Sequence, residues 1–224
     1  MKKKLNIIYE DKEILVVNKE SGLLTVSTEK EKERTLFHEV YTYLKQKNKN
    51  NKVFIVHRLD KDTSGIVLFA KNERLKNLFQ DNWDSLVKNR GYIAIVEGVL
   101  DKKKDTIKSY LKETETLYVY SSLKPQDGKL AITKYNVVKE IKNYSLLDIR
   151  ILTGRKNQIR VHLNDLSHPI AGDKKYGAKT NPIKRLALHA NILEIMHPIT
   201  KKVLYFETDV PNSFVHMFYN KKKK

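Results

Sequence analysis

Apolar residues in this chain fall into many short runs separated by charged or Asn-containing stretches. The runs are "LNIIY", "ILVVNK", "VFIVH", "IVLFAK", "YIAIVEG", "TIKSYL", "LAITKYNVV", "YSLLDIRIL", "LALHANILEI" and "KVLYFET". Several alternate apolar and polar residues, most clearly residues 145–151, which predicts strands with one buried face. Helical periodicity is rarer. "TLFHEVYTYLKQK" places Leu36, Phe37, Val40, Tyr41 and Leu44 on one face behind an N-capping Thr35. "NERLKNLFQDNW" offers Asn72 as a cap and Leu75, Leu78 and Phe79 as its apolar face, and "RKNQIRVHLNDLS" turns Ile159, Leu163 and Leu166 inward. "PNSFVHMFYN" predicts a closing helix, and "YLKQKNKNNKV" contains the clearest internal loop. Many strands with a few scattered helices predict an α+β fold on a mixed, largely antiparallel sheet. With no internal repeat and no Pro/Gly/Ser-rich linker, residues 1–224 read as a single domain.

Composition narrows the function class. Lys and Arg number 44 against 26 Asp and Glu, a net charge of +18, which suits an acidic polymer such as nucleic acid. The competing explanation is a general bias toward lysine with no partner behind it. Only Arg34, Arg58, Arg74, Arg90, Arg150, Arg155, Arg160 and Arg185 are arginines. Since a planar fork matches carboxylate and phosphate geometry better than an ammonium, the stretches holding Arg58 and the Arg155/Arg160 pair stand out. The absence of cysteine excludes disulfides, thiolate nucleophiles and Cys-based zinc sites. No apolar run approaches the roughly 20 residues of a membrane span, and the N-terminus lacks a signal-peptide pattern. A soluble, cytoplasmic protein is expected, with basic tails at residues 1–4 and 220–224 frayed into solvent.

The segment "VFIVHRLDKDTSGIVLFAKN" (53–72) sets two apolar runs around the charged connector "HRLDKDTSG". Asp60, Asp62, Ser64 and Gly65 mimic the start of an EF-hand loop, but the twelfth position is Lys71, a cation where a bidentate Glu belongs. Neither GxxxxGK[ST] nor GxGxxG occurs. His57, His162, His168, His189 and His197 have no metal-ligand spacing, so no metal site is expected. Two readings of Asp60 remain: an ionised carboxylate doing nucleophilic or acid–base chemistry beside a guanidinium, or a turn-capping ion pair with Arg58.

The connector and its flanks resemble the HRLDxxTSGxxLFAK signature of the RluA-type pseudouridine synthases. "YEDKEILVVNKESGLLTV", "NRGYIAIVEG" (89–98), "LTGRKNQIRVHLNDLSHPIAGDKKYG" (152–177) and "LALHANILEIMHPIT" (186–200) resemble further blocks of that family in the same order. The resemblance implies isomerisation of uridine to pseudouridine in RNA without cofactor or metal. By position it makes Asp60 the catalytic aspartate, Tyr92 the tyrosine that stacks on the base and shares in proton transfer, and Arg160 the partner of the aspartate. Arg58 then helps hold the flipped nucleotide. His57, Arg155, Lys156, Gln158 and His162, in the same two motif stretches, are expected to contact RNA as well.

Departures from the family pattern are Asn157 for His, Ser167 for Gly, Glu20 and Ser21 in place of a Pro region, and Arg90 for Lys. Tyr92 as plain core packing is the alternative for that residue, and Asp173 and Tyr176 in "AGDKKYG" are assigned to a structural turn. The pattern begins near residue 5, so no S4-type RNA-binding domain is expected in front of it. A monomer is expected, acting on a ribosomal RNA stem-loop, with transfer RNA as the alternative substrate. A non-catalytic RNA-binding protein and a carboxylate hydrolase or nuclease are the competing functions. An exposed aspartate that repels phosphate argues against the first, and too few convergent acids against the second.

Overall fold

The computed structural model describes residues 5–29 and 31–219, so the expected frayed tails lie outside the described residues. In chain order the elements are β1 (Ile7–Glu10), β2 (Ile14–Lys19), α1 (Leu36–Lys47), β3 (Phe54–Ile55), β4 (Ser64–Ala70), α2 (Glu73–Asp81), α3 (Trp83–Leu86), β5 (Val87–Glu97), β6 (Lys104–Glu113), β7 (Val119–Ser122), β8 (Lys129–Ile141), β9 (Tyr144–Ile151), α4 (Gln158–Asp165), β10 (Leu188–Met196), β11 (Val203–Glu207) and α5 (Asn212–Tyr219). This is the expected α+β class with largely antiparallel strands. No helix among the described residues is long and apolar enough to cross a membrane. The chain forms two compact units. The first draws on residues up to 88 and on 190–208, the second on 89–189 and on the chain from 209.

In the first unit the strands run β1-β2-β4-β10, with β3 added to β4 and β11 to β10. All seven residues of β4 are buried, as are five of the six in β2, which is why both read as near-continuous apolar runs. Their side chains meet Leu75 and Phe79 of α2, Val56, Leu193, Ile195 and Phe206 in one core. Both predicted caps form: Thr35 Oγ1 accepts the His38 N–H at 3.1 Å, and Asn72 Oδ1 accepts the Leu75 N–H at 2.8 Å. The face of α1 is narrower than its sequence suggests. Leu36, Val40 and Leu44 are buried, whereas Tyr41 is 42% exposed. Tyr41 sits one residue, about 100°, past Val40 on the helix. Its ring stacks on Phe37 and lies under the Lys45 ammonium, 5.5 Å from the ring centre.

In the second unit the order is β5-β9-β8-β6-β7. Ile93, Ile95, Leu147 and Ile149 form its core with Ile159 and Leu163 of α4 and Phe214 and Phe218 of α5. Strand β7 has no counterpart among the predicted runs. Only Val119 of its four residues is buried, and its polar remainder is held by pairing with β6 from Glu113↔Val119 to Tyr110↔Ser122. Strands β6 and β8 also extend into charged residues for this reason, since ladder hydrogen bonds can hold positions that bury nothing.

Helix α4 ends in a left-handed residue. Ser167 has φ +62°, and the Ser167 and His168 N–H groups reach back to Asn164 O at 2.8 Å and Leu163 O at 3.0 Å. That is the position where glycine is favoured after a helix. An L-residue in this conformation costs about 1–2 kcal/mol, part of which glycine gives back as unfolded-state entropy. Ser167→Gly is therefore expected to stabilise the protein by roughly 0.5–1 kcal/mol, read as a rise in Tm of a few degrees by thermal unfolding. No rise would mean that the serine side chain contributes more than its exposed setting indicates.

Candidate active site

In the first unit, the connector 56–63 carries Asp60 at the head of a turn closed by the Thr63 N–H on Asp60 O at 3.2 Å. The peptides on both sides are anchored by the segment after β2. Thr25, buried, donates its hydroxyl to Leu59 O at 2.7 Å and accepts the Leu59 N–H at 3.2 Å. Lys19, only 1% exposed, spreads its ammonium over the carbonyls of Glu20, Leu23 and Lys61 at 2.9, 2.7 and 2.9 Å. Lys61 O also accepts the Gly22 N–H at 3.0 Å, and Ser21 Oγ donates to Asp62 O at 2.6 Å. Burying an ammonium is costly unless its N–H groups are satisfied, and the three carbonyls meet that requirement while fixing the loop.

The side chains of the connector separate by role. Asp60 is half-buried, while Arg58, Lys61 and Asp62 are exposed. His57 is half-buried and turned toward structure: its Nε2 accepts the Leu68 N–H at 3.0 Å and its ring lies 5.5 Å from that of Trp83. The Nε2 lone pair is thus used inside the fold. Beside the connector a cleft of about 370 Å³ is lined by Gly22, Leu24, Arg34 and Lys61 among others.

Gly65, which closes "DTSG", has φ +120°. A Cβ at this position would lie 2.1 Å from Ala190 O. The glycine is therefore required twice, by its backbone angles and by the approach of β10.

In the second unit Tyr92 sits on β5 opposite Ile149 of β9, half-buried, with its ring against the core. Arg160 projects from α4 and is gripped from three sides. Asp173 takes its Nε–H at 2.7 Å and an Nη2–H at 2.8 Å as a bidentate fork, and Asn157 Oδ1 takes an Nη1–H at 3.1 Å. The Tyr176 ring lies 4.9 Å from the guanidinium carbon. Asn157 also donates through Nδ2 to the Tyr176 hydroxyl at 2.9 Å, an oxygen that accepts the Val119 N–H at 3.3 Å as well. Asn157 has φ +54°, a left-handed angle that Asn tolerates better than most residues. Asp173 caps a short 3-10 turn over residues 174–176, its carboxylate accepting the Tyr176 N–H at 3.3 Å. The expected structural turn at "AGDKKYG" is present, and it also holds Arg160.

The remaining expected RNA-binding positions divide sharply. Gln158 is 3% exposed; its carbonyl accepts from Thr153 Oγ1 and the Arg155 N–H, and its amide donates to Ile132 O and Thr133 Oγ1. His162 is fully buried between Ser109 and Thr133, each at 2.9 Å, and burial pushes its pKa down to about 4. It is therefore neutral at pH 7. The expectation of RNA contacts at Gln158 and His162 is corrected on this ground: both side chains are enclosed, and their hydrogen-bonding capacity is used within the unit. Arg155 and Lys156 are exposed; Arg155 donates from Nε to Leu130 O at 3.0 Å, and Lys156 pairs with Glu113.

Thr25 and Lys19 thus support the connector in the first unit, and Asp173 and Asn157 support Arg160 in the second, although the sequence assigned none of them that role. Lys19 carried a signal as a cation ending an otherwise apolar strand run, "ILVVNK", as did Asn157 by its departure from the family's His and Asp173 by its turn.

Comparison with known proteins fits this arrangement. Residues 13–165 match the family described as RNA pseudouridylate synthase. The chain belongs to that family and is an RNA pseudouridine synthase, an isomerase. Among its relatives, the uncharacterized RNA pseudouridine synthase YhcT of Bacillus subtilis is 35% identical over 209 residues, covering 92% of this chain and 69% of that protein. The ribosomal large subunit pseudouridine synthase D of Haemophilus influenzae is 31% identical over 227 residues, covering 95% and 69%. The fold is shared with human RNA Pseudouridylate Synthase Domain Containing 4, with a TM-score of 0.77 at 23% identity over 94% of this chain and 90% of that one.

Proposed function

We propose that this enzyme converts a specific uridine in structured ribosomal RNA to pseudouridine, with Asp60 as the catalytic carboxylate and residues 1–224 acting as one catalytic domain. The observation that carries the reading is the anchored connector: Thr25 and Lys19 fix the backbone on both sides of Asp60, as a group that must meet one carbon atom requires. A uridine within a helix hides C1′, so it must be extruded before reaction, and Tyr92 supplies the aromatic surface for the freed base. Asp60 labilises the N1–C1′ bond, either by attack on C1′ or by proton removal through a glycal. The uracil then turns, C5 bonds to C1′, the C5 hydrogen leaves as a proton, and N1 takes one up. Arg160 is the guanidinium proposed as the partner of the Asp60 carboxylate.

Ribosomal RNA is supported by the Haemophilus influenzae relative, named for the large ribosomal subunit. Arg58, Arg155 and Lys156, exposed on their units, are the phosphate-contacting residues, and the cleft beside Lys61 and Arg34 has room for a neighbouring nucleotide. A monomer acting in the cytoplasm completes the proposal. Mapping pseudouridine in total RNA from cells with and without the gene tests it: one or a few ribosomal positions should lose modification, and an unchanged map would refute it.

Charge makes a separate prediction. With +18 on the chain, RNA affinity should fall at least about tenfold between 50 and 200 mM salt as phosphate contacts release counterions. Filter binding across that range checks this, and a flat response would remove the phosphate-contact assignment. Arg155→Ala should lower the salt slope and the affinity while leaving kcat unchanged at saturating RNA.

A further inference from the structure

The turn "AGDKKYG" lies outside the catalytic set, yet it grips the one arginine in that set. A guanidinium has five N–H donors in a fixed plane. Asp173 takes two on the Nε/Nη2 edge and Asn157 takes one on Nη1. The Nη1/Nη2 end of such a fork has the geometry that meets a carboxylate side by side. The Tyr176 ring against one face of the guanidinium resists rotation about Nε–Cζ and tilting of the plane.

Burial makes this grip consequential. The Asp173 side chain is 1% exposed and that of Arg160 13%. In so enclosed a place the carboxylate does more than orient. It offsets most of the arginine's charge, so that the end of the fork offers two directed donors instead of an unscreened cation.

We infer that Asp173 is a positioning residue for the pseudouridylation reaction, setting through Arg160 both the direction and the effective charge of the donors offered to Asp60, with Asn157 and Tyr176 completing the brace. This rests on the pairing of Arg160 with Asp60 proposed above. Asp173 touches neither substrate nor reacting atoms. An aspartate facing a loosely held guanidinium is misaligned for the reacting carbon, and that effect falls on kcat. The pattern also accounts for Asn157, which stands where the related family usually has His. Its short amide spans Arg160 and the Tyr176 hydroxyl with one acceptor and one donor.

The test uses the full chain and unmodified ribosomal RNA transcripts carrying tritium at uridine C5, since formation of the C5–C1′ bond releases that hydrogen to water. Asp173→Asn is expected to lower kcat at least about tenfold with KM within about twofold, measured on folded protein well below its Tm. In an Arg160→Met background the same substitution should leave the residual rate unchanged while still lowering Tm, because the brace has nothing left to direct.

If Asp173→Asn does not fold, Asn157→Gly answers the question. Glycine adopts φ +54° without strain, and removal of the amide should lower kcat about threefold to tenfold with KM again near constant. The inference is overturned if these variants lose only stability, or if kcat falls equally with and without Arg160. Failure of the underlying reading looks different: wild-type enzyme would release no tritium, or Asp60→Asn would release it at the wild-type rate.

Discussion

Asp60→Asn should abolish pseudouridine formation, with kcat reduced at least about 10³-fold, while RNA binding stays within a few-fold of wild type. Asparagine keeps the size of the side chain and removes the electron pair and charge that the chemistry uses. The backbone there is held by Thr25 on Leu59 and by Lys19 and Gly22 on Lys61, none of which touches the Asp60 carboxylate through these bonds. The substitution should therefore leave the connector in place and the fold unchanged. Tritium release and filter binding on one preparation separate the two effects. Activity within tenfold of wild type would remove Asp60 from the catalytic role.

Gly65→Ala should have the largest effect on stability. The added Cβ would have to lie 2.1 Å from Ala190 O, 2.6 Å from Ala190 N and 2.7 Å from Ala190 C, all backbone atoms on β10 that no rotamer change can move aside. The φ of +120° adds strain for any residue with a side chain. Together these cost about 4 kcal/mol or more, a large share of the roughly 5–15 kcal/mol that holds a domain folded. The variant is expected to accumulate as insoluble protein or to unfold about 10 °C or more below wild type. A Tm within about 3 °C of wild type would show that β4 and β10 can separate at little cost.

The elements with a strong local code were legible in the sequence. The six residues of β2 coincide with the run "ILVVNK", and Thr35 and Asn72 cap α1 and α2 because their side chains bond within three residues of themselves. What escaped detection is held by partners outside its own element. Strand β7 exists through its ladder with β6 and one buried valine. Tyr41 was drawn inward by its hydrophobicity and turned out by one step of helical rotation. At the site, the charged connector marked itself as unusual, and family resemblance turned that into named roles. The expectation of RNA contact at Gln158 and His162 fails because a position in a motif does not say whether a polar side chain faces solvent or a Thr133 hydroxyl. It also could not reveal that Asp173 reaches back thirteen residues to Arg160.

The division of the first unit between two distant stretches of chain has a consequence for synthesis. Strand β4, buried along its whole length, leaves the ribosome well before β10, which packs beside it and begins to contribute to that unit at residue 190. At about 5–20 residues per second, roughly 6–24 s pass between the two. During that time an apolar strand edge is open to any neighbouring nascent chain. Codon-dependent pauses between residues 88 and 190 would lengthen this exposure, so yield of soluble enzyme should depend on translation rate and chaperone supply even where final stability does not.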